Sequence, residues 1–69
     1  MVKNELKNKR ANIYRDLNDR SRESKSFEGV ATIVDEVFSD DDRSYCEVRF
    51  DGERETFNRF VMHEDVYED

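Results

Sequence analysis

Proline and tryptophan are absent from this 69-residue chain, glycine occurs twice, and cysteine and histidine once each. Each shortage excludes a class of chemistry. One cysteine, Cys46, permits no intramolecular disulfide, and a lone thiol suits a reducing compartment. Two glycines, Gly29 and Gly52, make no glycine-rich loop of the kind that cradles phosphate. One histidine, His63, supplies no second imidazole at metal-binding spacing. Asp40-Asp41-Asp42 lacks the alternating acids, the glycine and the terminal glutamate of a calcium loop. Cys46 and His63 are the one thiol–imidazole combination available, and Cys46 falls on an apolar strand face where a thiol is ordinary packing. No run approaches the ~20 apolar residues of a membrane span. Met1-Val2-Lys3-Asn4-Glu5-Leu6-Lys7 has no apolar stretch after its charges, unlike a secretory signal. These absences predict a cytoplasmic protein that is not an enzyme, with no catalytic residues, metal or cofactor.

What the chain does have is charge. Charged residues are 43% of it and apolar ones 35%, with a net charge of −6. So short a chain forms one small core, worth roughly 3–5 kcal/mol of net stability, so a partner or a second copy is a plausible complement. The charge is unevenly divided. Residues 1–26 hold eight lysines and arginines against four acids, and residues 27–69 hold four arginines against fourteen acids. Such asymmetry points either to a partner for one half or to attraction between the halves.

Residues 1–26 predict a basic, weakly amphipathic helix followed by a polar linker. Good helix formers dominate residues 3–17. Leu6, Ile13 and Leu17 share one helical face, flanked by Val2 and Tyr14 and interrupted by Arg10. Asn18 to Ser26 has no apolar residue and reads as helix end and linker. Such a helix could pack on the rest of the chain or pair with a second copy to make a homodimer. Lys7, Arg10 and Arg15 are its candidate phosphate contacts; the plainer reading is a solvated surface, because Glu5, Asp16 and Asp19 are interspersed.

Residues 27–69 predict short strands. Val30-Ala31-Thr32-Ile33-Val34, bounded by Gly29, is a strand continuing to Val37 and Phe38. Ala31, Ile33 and Val37 lie on one face and Val30, Thr32, Val34 and Phe38 on the other, as expected for a strand bent around a small core. Ser39 to Arg43 is a turn by composition. Ser44, Cys46, Val48 and Phe50 then alternate with Tyr45, Glu47 and Arg49. Asp51-Gly52 predicts a tight hairpin that pairs Phe50 with Glu53 and Cys46 with Phe57. That register also sets Glu55 against Val48, a mismatch that calls for a bulge. Phe60-Val61-Met62 and His63 to Tyr67 supply a closing turn and strand.

Three stretches carry a resemblance: Gly29 to Val34, Cys46 to Glu53, and Arg59-Phe60-Val61-Met62-His63-Glu64-Asp65-Val66. Together they resemble SH3-like small barrels of the Tudor and KOW kind over about 40 residues. The fold class expected is therefore α+β, an N-terminal α-helix followed by a small antiparallel SH3-like barrel. The resemblance implies binding of a protein, peptide or nucleic acid. A methyl-lysine reader would need a fuller aromatic cage, and a KOW module would be basic. Size, acidity and the lack of paired cysteines also resemble small early proteins of bacteriophages that bind and disable a host protein.

The candidate partner-binding residues are Tyr45, Phe60 and Tyr67, rimmed by Asp40, Asp41, Asp42 and Glu47, and they suit a basic partner. A second reading is a DNA mimic. Asp35, Glu36, Asp40, Asp41, Asp42, Glu47, Asp51, Glu53 and Glu55 would then imitate phosphates and block a DNA-binding protein. Arg43, Arg49, Arg54 and Arg59 interrupt that surface, and acids also serve plain solubility. A third is nucleic-acid binding through the basic helix.

Overall fold

A computed structural model describes residues 5–67. It is all-β among those residues. The strands are β1 (Arg10–Tyr14), β2 (Phe27–Ser39), β3 (Arg43–Phe50), β4 (Phe57–Met62) and β5 (Val66–Tyr67), with a 3-10 turn at His63–Asp65 before β5. They form one open antiparallel sheet in the order β4-β3-β2-β1-β5.

Among the described residues the expected N-terminal α-helix is not there, and the strands form an open sheet in place of the expected SH3-like barrel, so the α+β class is corrected to all-β. Helix-mediated pairing of two copies goes with it. Residues Arg10–Tyr14 alternate as well as they spiral: Ala11 and Ile13 are fully buried while Arg10 and Asn12 are half-buried on the other face. As a strand, β1 pairs with β2 on one side and β5 on the other, a gain that outweighs intrinsic helix propensity. Asn8, at φ 73°, breaks any helical run. Its N–H donates to the Ile33 carbonyl at 2.7 Å, and Ile33 N–H donates to the Lys9 carbonyl at 2.8 Å. Val2, the predicted flank of the helical stripe, lies outside the described residues.

The predicted linker is a tied loop. Asp16 N–H donates to Ser26 Oγ at 2.7 Å, and Ser26 Oγ donates back to the Asp16 carbonyl at 3.2 Å. Arg20 binds the Leu17 carbonyl and reaches across to Asp65 and Glu64 beside β5.

Ala11, Ile13, Ala31, Ile33, Cys46, Val48 and Val61 make the core, with Leu6, Phe50 and Val66 packed at its margin. The strand at Val30–Val34, its continuation to Phe38, and the alternation of β3 are as the pattern predicts. Where β2 pairs with β3, two bulges, after Ile33 and after Glu36, change the detail. They turn Asp35 outward opposite Glu47 and Glu36 inward opposite Cys46, so Glu36 is 5% exposed and is no surface acid. Val37, predicted on the core face, is exposed at the second bulge.

Asp51-Gly52 is a tight turn, with Gly52 at φ 84° and Glu53 N–H on the Phe50 carbonyl at 3.0 Å. The chain does not return directly into the sheet. β4 begins at Phe57, which pairs with Val48, while Cys46 pairs with Arg59. This two-residue offset from the predicted register removes Glu55 from its place against Val48.

Gly29 has φ 133°, a conformation essentially closed to other residues. It sits opposite Ile13, beside the register shift at which Glu28 of β2 is the extra residue between the Ile13–Gly29 and Tyr14–Phe27 pairs. Gly29→Ala is expected to destabilise the protein by about 1–3 kcal/mol, measured as a lower urea midpoint with an unchanged slope. An unshifted midpoint would show that the backbone there is not held.

Candidate functional site

Strand alternation sorts the side chains of β2, β3 and β4 into two faces. The inner face holds the core. On the outer face, cross-strand pairing aligns Phe38, Tyr45 and Phe60 in one row. Tyr45 and Phe60 have ring centroids 4.8 Å apart at an interplanar angle of 53°. Phe38 is 54% exposed and Phe60 41%. The Arg43 guanidinium lies 4.7 Å from the Phe60 centroid, so this row already accepts a cation.

Acids border the row on both sides. Two residues along the strands, about 7 Å away, Asp35 and Glu47 face each other directly. Like charges directly opposite oppose the sheet, and among the described residues neither has an ion-pair partner. Glu47 accepts a hydrogen bond from Thr56 Oγ1 at 2.6 Å. Beyond Arg43, the β2–β3 turn carries Asp40, Asp41 and Asp42. It is held by Asp40 N–H to the Arg43 carbonyl at 2.8 Å and by His63 N–H to the Asp42 carbonyl at 2.9 Å.

The predicted site residues thus divide. Tyr45, Phe60 and Glu47 come together, and Asp40, Asp41 and Asp42 lie at one end of the same face. Tyr67 does not join them: it is on β5, at the opposite edge of the sheet beside Arg10, and its cross-strand row passes through Thr32 to Arg49, four residues along β3 from Tyr45. Phe38 and Asp35 complete the site and were not among its predicted members. Asp35 reaches the outer face through the bulge after Ile33, for which the sequence carries no local signal.

The candidate phosphate contacts have lost their helix. Arg10 pairs with Asp51, and Arg15 lies 3.9 Å from Glu28; Lys7 is exposed in the N-terminal turn. Arg20 pairs with Glu64 and Asp65, which raise its already high pKa, Asp65 most. Three arginines of the basic half thus pair with acids of the acidic half, the arrangement expected from attraction between the halves. Of the nine acids that the DNA-mimic reading names, these pairs engage Asp51 alone, and Glu36 is buried.

Two other polar clusters were not foreseen. Ser44 is fully buried and gives its one proton to Glu36 Oε2 at 2.6 Å, with His63 Nε2 2.8 Å from the same oxygen. With that proton committed to a carboxylate, Ser44 Oγ accepts from His63 Nε2–H. A nucleophilic serine works the other way, giving its proton to the imidazole, and Ser44 has no access to substrate. The cluster ties β2, β3 and the 3-10 turn together. The second is a cleft of about 390 Å³ lined by Glu28, Phe50, Asp51, Glu53, Phe57 and Arg59. Its floor is satisfied internally: Arg59 binds Glu28 at 2.9 and 3.3 Å, which raises the guanidinium pKa, and stacks 5.6 Å from the Phe57 centroid. Among the described residues no three His, Cys, Asp or Glu side chains converge to hold a metal. No helix there is long and apolar enough to cross a membrane.

Cys46 is fully buried, and burial pushes its thiol up to about 12, helped by the nearby Glu36 and Asp35 charges. Native protein at pH 8 is expected to react with iodoacetamide at least about a hundredfold more slowly than protein in urea, because reaction waits for opening. The unfolded thiol ionises near its ordinary pKa and the folded one does not. The thiol therefore lowers stability progressively as pH rises from about 9 towards 12. Cys46→Ala should remove that part of the alkaline decline. Equal labelling rates in the native and unfolded states would contradict the burial.

No protein-family model, curated protein or solved structure matches the chain.

Proposed function

We propose that this protein is a small, non-enzymatic binding module that acts by occupying the surface of a partner protein, and that its contact surface is the outer face of β2, β3 and β4. The observation that carries the reading is the Phe38–Tyr45–Phe60 row. Three aromatic side chains stand in register on neighbouring strands, outside the core, with charged groups around them. Aromatic anchors inside a polar rim are where binding energy concentrates in protein interfaces.

Size and acidity support a place among phage-type modulators or inhibitors of a host protein. The fully buried thiol of Cys46 supports a reducing, cytoplasmic setting.

The test is capture from a bacterial lysate by immobilised protein, with and without nuclease, read by mass spectrometry. A protein retained after nuclease treatment by the parent chain and by Tyr67→Ala, but lost with Tyr45→Ala and Phe60→Ala, is the expected result. Circular dichroism should show both of the latter folded. Capture that is unaffected by Tyr45→Ala and Phe60→Ala would remove this face from consideration. Capture abolished by nuclease would replace a protein partner with nucleic acid.

A further inference from the structure

Resting on the contact face proposed above, we infer the chemistry and the binding mode of its occupant: an extended segment of another protein, with arginine or lysine at alternate positions, that adds to the open edge of β4 as a sixth strand.

The two edges of the sheet differ. β5 is two residues long, whereas β4 runs six residues, pairs with β3 without a bulge, and contains no proline or lysine. Phe57, Asn58 and Phe60 are exposed along it. Short strands, bulges, proline and lysine are the devices that blunt an edge. Of the further devices, β4 has one, the inward-pointing Arg59, which Glu28 neutralises. Its backbone is thus a template for another strand.

Charge selects what that strand carries. Alternate side chains of an added strand would lie on the outer face beside Met62, Phe60 and Asn58. Beyond Phe60 is the aromatic row, and beyond Asn58 are Glu47 and Asp35. A long cationic side chain at those positions reaches a ring face that already holds Arg43. It also neutralises a facing pair of carboxylates that has no ion-pair partner among the described residues. A second copy of this chain would bring fourteen acids against four arginines over residues 27–69 to the same edge. Repulsion disfavours that pairing.

The test uses the full chain, isotopically labelled, and two capped peptides of about eight residues. One alternates arginine with threonine and the other glutamate with threonine. The arginine peptide is expected to shift the resonances of Tyr45, Glu47 and Phe60 and to slow hydrogen exchange along Phe57–Met62. Asp35→Asn combined with Glu47→Gln is expected to weaken that binding about tenfold or more. The same double variant should melt no lower than the parent, since facing carboxylates oppose the sheet, so lost binding will not reflect lost fold. No binding, unchanged affinity in the double variant, or shifts confined to Asp40–Asp42 without protection in β4 would each overturn the inference. Protection of β4 by the glutamate peptide alone would also overturn it, yet leave the outer face as a contact surface. Concentration-dependent dimerisation abolished by Phe60→Ala would assign the edge to a second copy and overturn it too.

Discussion

β2 is the strand on which the sheet depends, because it is hydrogen-bonded along both sides and changes neighbour as it runs. Its first half, Phe27 to Thr32, pairs with β1, and from Ala31 to Ser39 it pairs with β3. A thirteen-residue strand cannot serve two neighbours in a domain this small without bending. Gly29 and the two bulges are where it bends. Each bulge reverses which side chains face inward, and the pair together restores the original alternation. Only the short stretch between them is inverted. That stretch puts Glu36 inside, where Ser44 and the Leu6 N–H bind it, and puts Asp35 outside, opposite Glu47. The buried polar cluster and the facing carboxylate pair are two results of one backbone irregularity.

Charge is arranged around this frame in two tiers. Arg10, Arg15, Arg20 and Arg59 draw the N-terminal segment, the loop at 16–26, the 3-10 turn and the mouth of the cleft onto Asp51, Glu28, Glu64 and Asp65. Exposed pairs of this kind contribute little each, of order 0–1 kcal/mol. Their main effect is to set where cations lie, and that effect is spatial. They neutralise acids around β1, β5 and the start of β2. Asp35 and Glu47 on the outer face of β2 and β3 keep no such partner among the described residues. The asymmetry along the chain becomes an asymmetry across the folded sheet.

How much of this was legible in the sequence follows from which signals are local. Val30–Val34 and Ser44–Phe50 announce their strands through β-branching and alternation, and Tyr45, Glu47 and Phe60 stand out as candidate contacts. The fate of residues 10–14 is not a local matter. Arg-Ala-Asn-Ile-Tyr satisfies a helical stripe with Leu6 and Leu17 and satisfies a strand with Ala11 and Ile13. The decision is made by β2 and β5 offering hydrogen bonds on both sides. The hairpin at Asp51-Gly52 was legible as a turn but not as a register, because residues 53–56 leave the sheet before β4 begins. Tyr67 looked equivalent to Tyr45 until strand order set it at the far edge. The bulges that expose Asp35 have no signature in composition or spacing.

The distribution of side-chain size bears most directly on function. The largest fully buried side chains are isoleucine and valine, beside Cys46 and Ser44, with Ala11 and Ala31 also sealed in the core. Of the eight aromatic side chains, Tyr14 alone is buried, while Phe38, Phe57, Phe60 and Tyr67 are exposed. Phenylalanine is ordinarily among the most buried residues, and full burial of one contributes about 1.5–3 kcal/mol relative to leaving it in water. A core of this size yields roughly 3–5 kcal/mol in all. Leaving about half of each of Phe38 and Phe60 in water therefore forgoes roughly 1–3 kcal/mol, a sizeable part of that sum. Among the described residues the loop at 16–26 is tied to the 3-10 turn, and no strand pairs with β4 beyond β3. A fold that seals alanine and serine in its core and presents phenylalanine on its outer face is complete as a fold. The apolar area it leaves uncovered is available for burial against another molecule.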